Sequence, residues 1–260
     1  MDRCKVNILK VPVDKINMNE AIYEMEQMIK KRIPSQIVTP NSIMITIAQK
    51  NPELLHCLKS AQLSLPDGIG VVWGSRILKD SIQQRVTGID FMMEAIQKAE
   101  VKGYRVFFLG SKDNIVKNTA EKLQGKYSNL KIAGYHHGYF SQKEEEKVLQ
   151  KIKKTSPHIL FVGMGVGRQE LWVHRNLSEL NVPVAVGVGG SFDVVSGKIK
   201  RAPFWMQKAG LEWLYRFIIE PKRFFQTYLL FKFIFLIVFQ QKISYWIRNK
   251  KNKLLALINN

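Results

Sequence analysis

Short runs of consecutive apolar residues, rich in Val, Ile and Phe, alternate along this chain with longer stretches in which apolar residues return every third or fourth position. The rhythm is clearest in the second half. "YRVFFLGS" (104–111), "LKIAGYHHG" (130–138), "HILFVGMGVG" (158–167) and "VPVAVGVGG" (182–190) read as strands, and the segments Asn114 to Tyr127, Lys143 to Lys154 and Gln169 to Leu180 carry the helical period. A strand with no polar face must be covered on both sides, which parallel strands joined by helices achieve. The pattern predicts an α/β fold: a mostly parallel sheet with helices on both faces.

The first half follows the same logic. "QIVTPN" (36–41) reads as a strand ending in a Pro-Asn turn, followed by the helix "SIMITIAQK" (42–50), which stops at Asn51-Pro52. A second helix, Pro52 to Ser60, leads to the strand "QLSLPDG" (62–68), a glycine-rich helical segment to Leu78 and the loop "DSIQQRVTGID" (80–90). Asp90 is placed to cap a helix from Phe91 to Val101. No internal repeat, low-complexity linker or heptad array interrupts the chain, so residues 1–197 are expected to form one α/β core and 198–260 a helical appendage.

Charge sharpens that division. The 260 residues are 46% hydrophobic and 23% charged, as in a globular protein, but the net charge is +19. From Lys200 onward twelve Lys and Arg face only Glu212 and Glu220. The same region is apolar: "TYLLFKFIFLIVFQQ" (227–241) contains one charge, Lys232, and "RNKKNK" (248–253) follows. Cations next to exposed apolar residues fit an anionic membrane surface, where each is worth about 1 kcal/mol. Nucleic acid requires the cations but not the apolar run. The uninterrupted run Phe233 to Phe239 is far short of the roughly 20 residues that cross a bilayer, so attachment to the surface is expected rather than a span. Burial against the rest of the protein, or against a second copy in a homo-oligomer, is the alternative. The N-terminal residues lack the apolar core of a secretory signal, which predicts a cytoplasmic protein attached peripherally to the inner face of the membrane. Two cysteines, Cys4 and Cys57, make neither a disulfide framework nor a zinc site.

Chemistry on a parallel sheet gathers at the carboxyl ends of the strands. The loops expected there are Thr39-Pro40-Asn41, Pro66-Asp67-Gly68, Gly110-Ser111, Gly163 to Gln169 with Gly165 at its centre, and Gly187 to Asp193 with Gly189. Glycine turns opening onto helix N-termini present free N–H groups to a diphosphate, so a nucleotide ligand is expected. Neither the G-x-G-x-x-G dinucleotide fingerprint nor G-x-x-x-x-G-K-[ST] occurs, and there is no D-x-D or H-x-x-x-H metal pattern. Arg85 and Arg168 are the cations available beside a diphosphate, although either one taken alone also reads as a solvated surface charge. Asp67 is the one charge between Lys59 and Arg76. Its local chemistry admits a turn residue, a cap for the helix starting at Ile69, or a desolvated carboxyl acting as a base.

"TPN", "LPDGIGVVWGSRIL", "RVTGID", "FFLGS", "FVGMGVGRQE", "GVGGSFDVVSGKIKRAP" and "GLEWLYRFIIEPKRF", in this order over roughly Val6 to Tyr228, resemble the WecG/TagA/CpsF glycosyltransferase family. The resemblance implies a Rossmann-like core whose C-terminal appendage reaches the membrane and completes the active site. It implies inverting transfer of an N-acetylmannosamine-type sugar from UDP to the 4-hydroxyl of N-acetylglucosamine on undecaprenyl diphosphate, without a metal cofactor. By motif, Asp67 is then the general base, with Arg85 and Gln169 as further active-site partners. Thr39 and Asn41 contact donor sugar or acceptor; the Gly110-Ser111, Gly165 and Gly189-to-Asp193 loops bind substrate; Arg216 and Arg223 meet phosphates. Two other readings remain at this stage: a nucleotide-dependent oxidoreductase or epimerase on the glycine loops, and a non-catalytic membrane or nucleic-acid binder on the charge.

Overall fold

The computed structural model describes residues 3–220 and 228–242. The chain opens with an antiparallel hairpin, β1 (Lys5–Ile8) and β2 (Val11–Asp14), and helix α1 (Met18–Lys31). There follow β3 (Ser35–Val38), α2 (Ser42–Ala48), α3 (Pro52–Ser60), β4 (Leu63–Ser64), α4 (Ile69–Ile77) and α5 (Gly88–Lys102). The regular alternation then sets in: β5 (Arg105–Gly110), α6 (Asp113–Lys126), β6 (Lys131–His136), α7 (Gln142–Thr155), β7 (Ile159–Gly163), α8 (Arg168–Leu180) and β8 (Val184–Gly187). Three short helices, α9 (Ser191–Val195), α10 (Phe204–Lys208) and α11 (Glu212–Ile219), precede a helix over 228–242, here α12.

The six strands β3 to β8 pair in parallel in the order β4-β3-β8-β7-β5-β6. Burial on both faces explains their composition. Val106 and Phe108 of β5 join the cluster under α1, α5 and α6, while Phe107 and Leu109 join the cluster under α7 and α8. A third cluster packs the β1–β2 hairpin and α2 to α4 against the end of the sheet. The expected α/β architecture is therefore present, with a C-terminal helix added.

Two local features depart from the sequence expectations. The hairpin and α1 lie where no elements were anticipated. The hairpin turns through Leu9 and Lys10 at φ of 47° and 69°, positions at which glycine usually signals such a turn. Asp14, fully buried, anchors it by accepting from Arg3 Nε at 3.1 Å and from the Ser64 backbone N–H at 2.8 Å. The second departure concerns Asp90. It does not cap α5: Thr87 does, its Oγ1 accepting from the Asp90 N–H at 3.2 Å, and the helix starts three residues earlier than expected. Asp90 sits in the first turn instead, free to pair elsewhere.

Helix α12 is apolar on nearly all sides. Leu229, Phe233 and Ile237, spaced by four, are buried, and Phe233 and Ile237 belong to the third cluster. Gly74 of α4 makes room for them, since a Cβ there would lie 3.3 Å from the Phe233 ring. Gln240 Oε1 accepts from the Leu9 N–H at 3.1 Å, fixing the other end of the contact. Phe231, Phe235 and Phe239 on the opposite side are exposed. Among the described residues no helix is long and apolar enough to cross a membrane.

Removing the Phe233 ring leaves a cavity beside Gly74, at a cost of about 3–5 kcal/mol. Phe233→Ala is therefore expected to release α12 before the sheet unfolds. Limited proteolysis should cut within 228–242 while hydrogen exchange in β5, β7 and β8 stays slow.

Candidate active site

The carboxyl ends of β3, β4, β7 and β8 open on one cavity of about 380 Å³. Its position follows from the topology. After β3 the chain passes to α2 and α3 on the face that carries α8, whereas after the adjacent β8 it passes to α9, which packs on α5 and α6 on the other face. Neighbouring strands whose connections diverge leave a crevice between them, the usual ligand site of an open α/β sheet.

Asp67 lies in this crevice two residues past the Leu65 N–H that extends the pairing of β4 with β3. It does not cap α4. The N-cap is Gly68, with no side-chain hydrogen bond, and its φ of 85° explains the glycine, which turns the chain away and leaves the carboxyl facing the cavity. The Asp67 N–H donates to the Pro40 carbonyl at 3.2 Å, so the backbone is pinned to the neighbouring strand end. Burial pushes the carboxyl up to about 7, against the pull of the Arg85 charge; Glu212 raises it further, and hydrogen bonds from the Gly88 N–H and the Asn41 amide lower it. A carboxyl poised near neutrality at a cavity wall is suited to taking a proton.

Arg85 is held by the chain that follows the core. Its NH1 pairs with Glu212 at 2.8 Å and its NH2 donates to the Gln207 carbonyl at 3.2 Å. Glu212 also takes Arg201 Nε at 3.3 Å, and Arg201 closes a bidentate pair with Asp90 at 2.7 and 2.9 Å. Burial alone would raise Asp90, but Arg201 and Thr87 hold it below the usual carboxylate range. These partly exposed pairs are each worth at most about 1 kcal/mol, so their value is mainly geometric. They set α10 and α11 over the cavity, and with them Arg216, which lines it together with Lys200 and Arg201.

The opposite wall is built from backbone. Thr39 Oγ1 donates to the Gly187 carbonyl at 3.0 Å, tying the ends of β3 and β8. Asn41 caps α2 by accepting from the Met44 N–H at 3.0 Å and turns its amide to Asp67. Gln169 is buried: its Oε1 accepts from the Gly189 N–H at 3.1 Å and its Nε2 donates to Glu170 at 2.6 Å. Gly165 and Gly189 line the cavity at positive φ.

The structure thus brings together Thr39, Asn41, Asp67, Arg85, Gly165, Gln169, Gly189 and Arg216. Gly110, Ser111 and Asp193 are not among the lining residues. They gather beside it, where Ser111 Oγ approaches Asp193 at 3.4 Å and Lys198 pairs with Asp193 at 3.1 Å. Arg168 turns away and donates to the Gly138 carbonyl. Arg223 lies outside the described residues. Sequence inspection missed Lys200, Arg201 and Glu212, which sit in a region that reads as a uniformly basic tail; an isolated acid in such a tail was the available signal. Among the described residues no three His, Cys, Asp or Glu side chains converge as metal ligands do. The charged residues lining the cavity are Asp67 and Glu212 with Arg85, Lys200, Arg201 and Arg216.

The sequence profile of the Glycosyl transferase WecG/TagA/CpsF family matches residues 6–248, which extends past Tyr228 and includes the apolar α12. A Bacillus subtilis (strain 168) protein named N-acetylglucosaminyldiphosphoundecaprenol N-acetyl-beta-D-mannosaminyltransferase is 36% identical over 217 residues, 83% of this chain and 84% of that protein. Proteins of the same name from Bacillus spizizenii (strain ATCC 23059 / NRRL B-14472 / W23) and Staphylococcus aureus (strain NCTC 8325 / PS 47) are 39% identical over 187 residues and 35% identical over 221 residues. They cover 72% and 84% of this chain and 72% and 86% of their own lengths.

The raised pKa of Asp67 has a consequence for stability. The folded state holds the proton to about 7, whereas an ordinary Asp releases it near 3.8. The stabilisation is full below the lower value and is lost as pH rises through the upper one. In thermal denaturation, Asp67→Asn should lose less stability than the wild type between pH 4 and 8. The difference should be on the order of 1–2 kcal/mol, given that water still reaches the carboxyl. Parallel curves would mean that Asp67 is not desolvated in the folded protein.

Proposed function

Because the chain belongs to the WecG/TagA/CpsF family of glycosyl transferases, we propose that it moves N-acetylmannosamine, or a closely related sugar, from UDP to the 4-hydroxyl of N-acetylglucosamine carried on undecaprenyl diphosphate. Such a transfer serves cell-wall teichoic acid or surface polysaccharide synthesis. The observation that carries the reading is a carboxyl poised near neutrality, Asp67, sharing one crevice with Arg85, Lys200, Arg201 and Arg216.

In this mechanism the Asp67 carboxylate takes the proton from the acceptor 4-hydroxyl as its oxygen attacks the anomeric carbon. The bond from that carbon to the UDP oxygen breaks on the opposite side, so the configuration inverts. One base suffices, and the negative charge gathering on UDP is taken up by Arg85, Lys200, Arg201 and Arg216 rather than by a metal ion. The incoming diphosphate competes with Glu212 for Arg85. Thr39 and Asn41 border the space between base and donor and are assigned to sugar contacts. No feature of the crevice favours an oxidoreductase, which would place a dinucleotide fingerprint after a strand.

The acceptor's lipid cannot leave the bilayer, so the cavity must approach the membrane. Phe204 and Trp205 on α10, Ile218 on α11 and Phe231, Phe235 and Phe239 on α12 are exposed apolar side chains on the segment that borders the cavity, within a strongly basic region. We assign this surface to the headgroup and upper acyl layer of the cytoplasmic leaflet, with the protein held peripherally. Surface binding confines the search for acceptor to a plane and raises its effective concentration.

UDP release, followed with a panel of UDP-sugars and a short-chain lipid-diphosphate N-acetylglucosamine acceptor, is expected with the N-acetylmannosamine donor and to be insensitive to chelators. Asp67→Asn should lower turnover by about 10²-fold or more while UDP affinity stays within a few-fold. Wild-type kcat/KM should rise with pH to a plateau through an apparent pKa near 7, as the base ionises. Full turnover in Asp67→Asn would remove it from the mechanism. Replacing Phe231, Phe235 and Phe239 together by Ser should abolish co-sedimentation with anionic vesicles and slow transfer to long-chain acceptors, leaving short-chain acceptors unaffected. Undiminished vesicle binding would assign the patch to another contact.

A further inference from the structure

Gln169 lines the cavity, yet both ends of its amide are engaged inside the protein, and the group that dictates their orientation is its neighbour. Glu170 is 1% exposed, on the first turn of α8. One of its oxygens accepts from the Gly167 N–H at 2.7 Å and the other from Gln169 Nε2 at 2.6 Å. Its backbone carbonyl takes Gln36 Nε2 at 2.9 Å, which holds the residue against β3. Burial pushes Glu170 up to about 7, and above that pH it is a carboxylate, which can only accept. With both oxygens facing donors, the Gln169 amide has one permitted orientation, NH₂ toward Glu170 and Oε1 toward the Gly189 N–H, which it meets at 3.1 Å.

The glycines around this contact are shaped to it. A Cβ at Gly187 would stand 2.5 Å from Gln169 Nε2 and 2.7 Å from Glu170 Oε1, so the strand end closes directly on the pair. A Cβ at Gly190 would stand 2.9 Å from the Arg216 guanidinium, so the same turn supports a cation of the cavity. Burying a carboxylate without a cationic partner costs several kcal/mol unless its hydrogen bonds are complete. A merely structural bond could be made by a neutral group at lower cost.

We propose that Glu170 is a positioning residue, which fixes the amide of Gln169 and through it the Gly187–Gly190 turn that forms the donor side of the cavity. It touches no substrate. A neutral isostere cannot replace it. A glutamine at 170 must present its NH₂ either to the Gly167 N–H or to Gln169, and in the second case the Gln169 amide flips and faces donor to donor with Gly189. The inference concerns the site assigned above to the UDP-sugar and relies on that assignment only for its binding readout.

The test uses the full chain at pH 8, comparing wild type, Glu170→Gln, Gln169→Ala and the double variant. Hydrogen exchange at the Gly189 amide in ligand-free protein is expected to quicken about 10-fold or more in each single variant, with no additional increase in the double, while β5 and β7 keep their protection. UDP affinity should fall about 3–10-fold in Glu170→Gln and no further when Gln169 is already gone. Unchanged Gly189 protection in Glu170→Gln, or effects that add in the double variant, would overturn the proposal, as would loss of protection spread evenly over the sheet. Should Glu170→Gln not fold, Glu170→Asp, whose carboxylate falls short of Gln169, is judged by the same measurements. If the wild type binds no UDP, the donor assignment fails while the Gly189 exchange still decides the role of Glu170.

Discussion

A carboxyl group at the end of a buried strand has to be kept dry enough to hold a proton near neutrality and yet close enough to positive charge to release it, and the architecture around Asp67 satisfies both demands. Dryness comes from the sheet, where β3 and β4 stop side by side, while α4, leaving through Gly68, keeps the carboxyl open to the cavity. Positive charge comes from Arg85, whose own position is set from outside the sheet by Glu212 and Arg201. The core therefore supplies both the acid and its counter-charge, and the segment after it fixes where that counter-charge sits. Neither alone makes the crevice.

The same division explains what could be read from the sequence. Strands covered on both faces leave an unmistakable run of apolar residues, which is why β5, β7 and β8 stand out in the letters while β4, reduced to two paired residues, is carried mainly by the turn after it. The hairpin at the N-terminus was illegible because its turn is made by Leu9 and Lys10, neither of which advertises a left-handed backbone. Asp90 was misplaced by three residues because an acid before an apolar run and a threonine three positions earlier are equally good caps in one dimension.

Candidate site residues show a sharper contrast. Asp67 and the glycine turns could be found because parallel sheets gather their loops at one end. Gln169 was reached through the family motif rather than its local chemistry, and Glu170 was not reached at all: an acid in the first turn of a helix ordinarily complements the helix dipole, and only the third dimension shows this one enclosed beneath Gly187. Lys200, Arg201 and Glu212 were submerged in the charge of the tail. Local chemistry identifies residues whose neighbours in sequence are unusual, and it is silent about residues whose neighbours in space are unusual.

Gly74 offers a last point. It sits mid-helix in α4, where glycine weakens a helix relative to alanine by about 1 kcal/mol, and what it offers in return is a seat for the Phe233 ring. The two positions are 159 apart in the chain but chemically one: the smallness of the first is only of use with the bulk of the second. In related chains the pair should be inherited together. A lineage that loses the aromatic ring would be released to put alanine in the helix, and one that keeps it would not.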